Sequence, residues 1–227
     1  MDLMEGIEKR KSIRAYKPDP VPRDVLKKVI RAAVAAPSKG NSQIWEFVVV
    51  TGDELKEIKG MLSGLLKTDF IPMMKLTDED SASPALEQAK IRSSRNKEEM
   101  SKILKPMGLD FEDFMLEGTF RFFDAPAVVM VFIEDIYLKN LPHLLSVGAA
   151  VQNVLLSAQT AGLGTCWIGG VWRYTKQIRK VLGIPDNKML VSSVAIGYTD
   201  DESPINKYKS GRESVDELVR WIGFEEK

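Results

Sequence analysis

Ala127-Val128-Val129-Met130-Val131-Phe132-Ile133 is a short, continuously apolar run of β-branched character. Alternation of polar and apolar residues would mark a strand with one wet face. An unbroken run marks a strand covered on both faces. Leu141 to Ala161 follows as the strongest helix in the chain. Leu144, Val147, Gly148, Val151, Val154, Leu155 and Ala158 form its stripe, and alanines widen the apolar circumference. A helix that apolar belongs at the centre, against other helices or a second subunit.

Outward from this pair, three further runs read as strands: valine-rich Trp45–Thr51, Thr165–Ile168 and Met189–Tyr198. Helices are expected at 3–12, 24–36, 52–66, 85–104, 111–123 and 174–182. In the second of these Leu26, Val29, Ile30 and Ala33 recur at helical spacing, and Pro37 limits its end. Pro18 to Pro22 form a connector. The 85–104 helix, rich in Lys, Arg and Glu, is expected to face solvent. Residues 68–124, including acidic Asp78, Glu79 and Asp80, read as a helical insertion, and 203–227 as a C-terminal extension with a helix or strand of alternating character from Val215 to Ile222. Four strands interleaved with helices indicate one α+β or α/β domain over 1–227.

Composition narrows the chemistry. Of 227 residues, 44% are hydrophobic and 28% charged, as in ordinary globular proteins. Lys+Arg and Asp+Glu both number 32, so no global field argues for nucleic acid or an anionic membrane. No apolar run is expected to reach the ~18–20 residues of a membrane span. Together with the lack of an apolar leader in MDLMEGIEKRKS and a single cysteine, Cys166, this suggests the cytoplasm. One histidine, His143, and one cysteine leave no His/Cys metal set, and no nucleophile-elbow, GxxxxGK[ST] or GxGxxG pattern occurs. Side chains this poor in reactive groups favour a cofactor that carries the chemistry.

Four stretches stand out. Glu8–Tyr16 gathers Lys9, Arg10, Lys11 and Arg14 around Ser12, which suits an anion but also a basic helix end. Pro37-Ser38-Lys39-Gly40-Asn41-Ser42-Gln43 offers hydroxyl and amide groups for a heterocycle, or simply makes a turn. Ile168-Gly169-Gly170 ends a strand with backbone N–H groups open to close approach, or turns into the next helix. Lys207, Lys209 and Arg212 lie in the tail.

The order and spacing of these motifs resemble the FMN-dependent nitroreductases. The match rests on Arg10-Lys11-Ser12-Ile13-Arg14, Pro37-Ser38 with Asn41-Ser42-Gln43 and Trp45, Gly162-Leu163-Gly164-Thr165 through Gly169-Gly170, and Lys209 with Arg212. It covers nearly the whole chain and is weakest from Thr68 to Asp110. The resemblance implies a three-layer α-β-α sandwich with a mixed, mainly antiparallel sheet. It also implies an intertwined homodimer with FMN at the interface, NADH or NADPH as donor, and flat electron-poor acceptors such as nitroaromatics or quinones. By the same resemblance Arg10 and Ser12, with Lys11 beside them, would reach phosphate and ribityl oxygens, and Lys209 and Arg212 would complete the phosphate site. Arg14 would lie at the N1/O2 edge of the flavin, where fixed positive charge stabilises the reduced ring. Pro37, Ser38, Lys39, Asn41 and Gln43 would serve the flavin of the other subunit. The backbone after Ile168, at Gly169 or Gly170, would hydrogen-bond flavin N5.

Two departures from the family pattern leave the acceptor open: Ile44 replaces a proline, and Gly169 stands where some relatives carry glutamate. The implied cycle is ping-pong, with hydride passing from NAD(P)H to flavin N5 and on to the acceptor, and no protein acid or base is required. Rival readings are other flavin chemistry on the same fold (reductive dehalogenation or flavin destruction) or a non-enzymatic flavin-binding redox sensor. Phe122, Phe123 and Trp167 are candidate walls for a flat substrate, with core packing as the competing use. Cys166 reads as a small buried strand residue. Lys75, Arg92 and Arg95 are the loose cations that a 2′-phosphate could use.

Overall fold

The computed structural model describes residues 2–70 and 84–224. Its elements in chain order are α1 (Leu3–Lys9), α2 (Arg23–Val34), β1 (Glu46–Thr51), α3 (Gly52–Thr68), α4 (Pro84–Leu104) and α5 (Phe111–Phe120). They continue with β2 (Ala127–Glu134), α6 (Leu141–Thr160), β3 (Gly164–Ile168), α7 (Thr175–Leu182), β4 (Lys188–Gly197) and the short α8 (Val215–Leu218).

The four strands pair antiparallel in the order β1-β2-β4-β3. A parallel bridge from Ser12 to Thr165 beside β3 adds the mixed element. The apolar run of β2 is buried throughout, and its residues divide by parity, as a strand requires. Val128, Met130 and Phe132 face a core built with α3, α5 and α7, through Ile58, Leu62, Phe120, Tyr174 and Ile178. Ala127, Val129, Val131 and Ile133 face a second core with α2 and α6, through Leu26, Val29, Val147, Val151 and Val154. These are the three layers of an α-β-α sandwich.

Helix α6 corrects one expectation. At 20 residues and mean hydropathy 1.3 it is long and apolar enough, by length and composition, to cross a membrane. Here it is the inner helix of the second core. Asn153 Nδ2 donates to the Ala32 carbonyl of α2 at 3.0 Å, so a polar side chain docks the two helices.

Helix α4 also departs from its solvent-facing reading. Met100 and Leu104 are buried against Ile205 and Tyr208, so its C-terminal half carries the tail. Helix α5 is shorter than expected because the chain turns left-handed at Phe122, Phe123 and Asp124, with φ of 52°, 50° and 56°. Helix α1 stops at Lys9 because Arg10 is extended, and the Ile13 N–H donates to the Thr165 carbonyl at 2.8 Å. That approach explains Gly164: a Cβ there would sit 2.7 Å from Ile13 Cγ1.

Candidate functional site

Pairing with β3 fixes Ser12 and Ile13, and places Arg10 and Lys11 over the flank of α6. The tail arrives at the same place from the other end of the chain. The buried amide of Asn206 anchors that tail to the backbone of Arg14 and Ala15. The Lys209 ammonium donates to the Glu8 carbonyl. A cavity of about 490 Å³ results, lined by Ile7, Glu8, Arg10, Lys11, Gln152, Lys209, Ser210 and Arg212.

The electrostatics of this cavity are one-sided. Arg10, Lys11, Lys209 and Arg212 take part in no ion pair among the described residues. Burial pushes the Arg10 guanidinium below its ordinary pKa, and the like charge of Arg212 adds to the shift. Arg212 Nη1 donates only to its neighbours, the Ser210 hydroxyl at 2.8 Å and the carbonyls of Ser210 and Gly211 at 3.1 and 2.8 Å. Four cations crowded together, with Glu8 the one acidic residue of the lining and ion-paired to none of them, make a receptor for a multiply charged anion such as a phosphate monoester.

Arg14 lies a short distance along the chain from the cradle and differs from it. Its guanidinium carbon lies 5.8 Å from the centroid of the Phe123 ring, and its Nε is buried with no hydrogen-bond partner. A buried donor left unpaired costs free energy unless a ligand meets it. Cys166 is buried behind the same segment, as expected. Burial raises its thiol pKa, opposed by the charges of Arg14 and Arg10 and by a hydrogen bond with Ser12.

The remaining candidate residues do not join the cradle within one chain. The Ser38–Gln43 loop lies near the N-terminal end of α6, where the Lys39 N–H donates to Ser146 Oγ at 3.1 Å. Its form is set internally: the Gln43 N–H donates to Ser38 Oγ at 3.2 Å, and Gly40, Asn41 and Gln43 have φ of 58°, 56° and 45°. Pro37 precedes it, and all of the loop except half-buried Ser38 is exposed. Ile168 is buried, and Gly169 and Gly170 lead from β3 into a 3-10 turn. A Cβ at Gly170 would lie 2.8 Å from Thr119 Cγ2, so close packing on α5 requires glycine there.

Of the candidate walls, Phe122 and Phe123 are core residues, whereas Trp167 is 46% exposed. Arg92 and Arg95 both pair with Glu213, and Lys75 lies outside the described residues, as do Asp78, Glu79 and Asp80. Sequence reading missed Asn206 and Gln152. Asn206 carries no motif, but Gln152 is a polar residue within the apolar stretch of α6, which is a legible signal.

A sandwich whose N- and C-terminal segments together build an anion cradle defines an α+β protein made to hold a phosphorylated cofactor. The chain belongs to the nitroreductase family, whose model matches residues 7–198. It is 28% identical over 220 residues to a 4-nitrobenzoate reductase of Nocardioides sp. (strain LMS-CY), spanning 94% of this chain and 87% of that protein. A 4-nitrobenzoate reductase of Pseudomonas putida is 26% identical over 232 residues, spanning 99% of this chain and 97% of the relative. The crystal structure of the FMN- and NADPH-dependent nitroreductase NfnB from Sphigopyxis sp. strain HMH matches with a TM-score of 0.84 at 27% identity, covering 99% of this chain and 100% of that one.

Proposed function

We propose that this chain is a cytoplasmic FMN-dependent oxidoreductase that reduces nitroaromatic or quinone acceptors with NAD(P)H and works as an intertwined homodimer. The observation that carries the reading is the cradle of Arg10, Lys11, Lys209 and Arg212, drawn from both ends of the chain, with four cations against one acidic residue, Glu8, and no ion pair among them. FMN, when bound, supplies a ring that accepts hydride at N5 from the nicotinamide and passes two electrons to the acceptor.

The residues divide the remaining work. The four cations and Ser12 hold the phosphate and ribityl oxygens through charge-assisted hydrogen bonds. Arg14, with its unpaired buried Nε, supplies positive charge at the N1/O2 edge. The backbone N–H of Gly169 or Gly170 donates at N5 and keeps the ring face clear of side chains. The loop with Pro37, Ser38, Lys39, Asn41 and Gln43, exposed in one chain, serves the cofactor of the partner subunit.

Exposed apolar residues support the dimer. Trp221, Ile222 and Phe224 in the tail are 61%, 76% and 73% exposed, too open for a chain that remains alone. Leu141 and Leu145 on α6 and Leu3 and Met4 on α1 are exposed as well.

The test is the absorbance spectrum of the purified protein, identification of the released cofactor, and NADH and NADPH oxidation with nitro compounds and quinones. A yellow protein releasing FMN and oxidising one of the nicotinamides is expected. A colourless preparation, or a yellow one inert with every acceptor, overturns the reading.

A further inference from the structure

We propose that Arg173 is a specificity-determining residue that selects flat aromatic acceptors carrying a carboxylate over neutral ones. The inference rests on the reductase reading and deepens it by giving the acceptor a charge.

Arg173 stands in the 3-10 turn Gly170–Tyr174, directly after the glycine pair proposed to meet flavin N5. Its guanidinium folds back toward that pair, with Nη2 3.9 Å from the position a Gly170 Cβ would occupy. Its Nε is buried and has no hydrogen-bond partner. Among the described residues no carboxylate pairs with it. Two other arginines are ion-paired, Arg179 with Asp186 and Arg121 with Asp124, although Arg179 Nε is also buried without a hydrogen-bond partner.

The surroundings suit an aromatic guest. A Cβ at Gly169 would meet nothing within 4 Å, so the space before the pair is open. Two indoles bracket the pair in sequence, Trp167 at 46% and Trp172 at 45% exposure. Half-exposed tryptophan presents flat apolar area without closing the space. The planar guanidinium of Arg173 offers two parallel N–H donors, the geometry a carboxylate accepts.

The cradle cations are committed to the phosphate, and Arg14 to the pyrimidine edge. Arg173 is thus an unpaired cation at the opposite, N5 end, where the acceptor must approach. An anion there would satisfy the orphaned donor and orient the ring in one step.

The experiment uses the FMN-loaded protein with 4-nitrobenzoate and nitrobenzene as acceptors, in wild type, Arg173→Gln and Arg173→Lys. The ratio of kcat/KM for 4-nitrobenzoate over nitrobenzene should fall at least about tenfold in Arg173→Gln, mainly through KM, the loss expected for a charge-assisted hydrogen bond. Arg173→Lys, which keeps the charge and loses the fork, should recover part of it. In calorimetric titrations of the oxidised protein, benzoate should bind wild type more tightly than Arg173→Gln, and benzamide should not distinguish them.

Wild type that reduces nitrobenzene but discriminates against 4-nitrobenzoate overturns the proposal and leaves the reductase reading standing. An unchanged ratio in Arg173→Gln does the same, including where that variant is only less stable. Wild type that reduces neither acceptor overturns this inference, and the reductase reading falls with it where quinones go unreduced as well.

Discussion

The side-chain amide of Asn206 grips the backbone of Arg14. Its Oδ1 accepts the Arg14 N–H at 2.8 Å and the Ala15 N–H at 3.2 Å, while Nδ2 donates to the carbonyls of Ala15 at 2.7 Å and Asp200 at 2.9 Å. An amide fills all four roles at once, and a carboxylate fills only the accepting two. Asn206→Asp should therefore destabilise the protein by about 2–4 kcal/mol, from two lost donations, carboxylate oxygen set against carbonyl oxygen, and a charge taken out of water. Chemical denaturation measures this, and wild-type stability would refute the role of the amide as a clamp.

The Arg14 side chain makes no hydrogen bond at Nε and rests over Phe123. Arg14→Ala should cost little stability, about the 1 kcal/mol of a cation–π contact. Its larger effect should fall on the cofactor: weaker FMN binding and a more negative flavin reduction potential, read by dye-linked titration. Full occupancy at an unaltered potential would place Arg14 away from the flavin edge.

In the cradle, stability and binding should move in opposite senses. Arg212 adds to the depression of the Arg10 pKa and donates only to its own neighbours, so Arg212→Gln should leave the apoprotein at least as stable as wild type. FMN affinity should nevertheless fall by about tenfold or more, the worth of a charge-assisted bond to phosphate. Fluorescence titration at two salt concentrations gives both readings. The variant should also show a shallower salt dependence than wild type.

Tyr16 and Cys166 should set an alkaline limit. Burial raises the Cys166 thiol above its ordinary 9.0, and burial with the nearby thiol raises the Tyr16 phenol well above 10.0. Both groups hold protons in the folded chain that the unfolded chain releases first. Their contribution to stability is complete below about pH 9 and is lost as pH rises through the folded values. Denaturation midpoints should fall steadily above that pH. In Tyr16→Phe the high-pH part of the slope should flatten, with about 1 kcal/mol lost at all pH values from the missing bond to the Ile13 carbonyl, 2.8 Å long in wild type. An unchanged alkaline slope would show that the phenol does not contribute.

The layers of the sandwich were legible because they follow from periodicity. The β2 run, the α6 stripe and the valine-rich β1 hardly depend on what surrounds them. What sequence could not show was decided across long separations. Arg10 and Ser12 continue a helical pattern locally, yet pairing with Thr165 pulls them into extended backbone. Phe122, Phe123 and Asp124 lack the glycine that would announce a left-handed turn, and burial of both rings together with local bonds such as Asp124 N–H to the Arg121 carbonyl holds them there. Met100 and Leu104 sit in a charged helix, and only the returning tail reveals their use. In the tail itself the capping box of Ser214 and Glu217 makes one helical turn of α8 before Val219 is extended, which resolves the alternating reading. Of the site, the cations were legible as clusters. Their convergence was not, since the Glu8 carbonyl and the Lys209 ammonium that close the cavity are 201 residues apart.

That closure has a consequence for the nascent chain. Loop closure over such a separation must precede any reward from the contact it makes. While the last residues remain inside the ribosome, Arg10 and Lys11 lack their opposing wall and Asn206 has not reached Arg14. The sandwich layers can assemble, but the cradle cannot. On the proposed function, flavin loading is therefore a post-translational event, and a polypeptide ending before Lys209 should accumulate as a folded but colourless protein. Pigment would thus report that synthesis has passed Lys209 and Arg212.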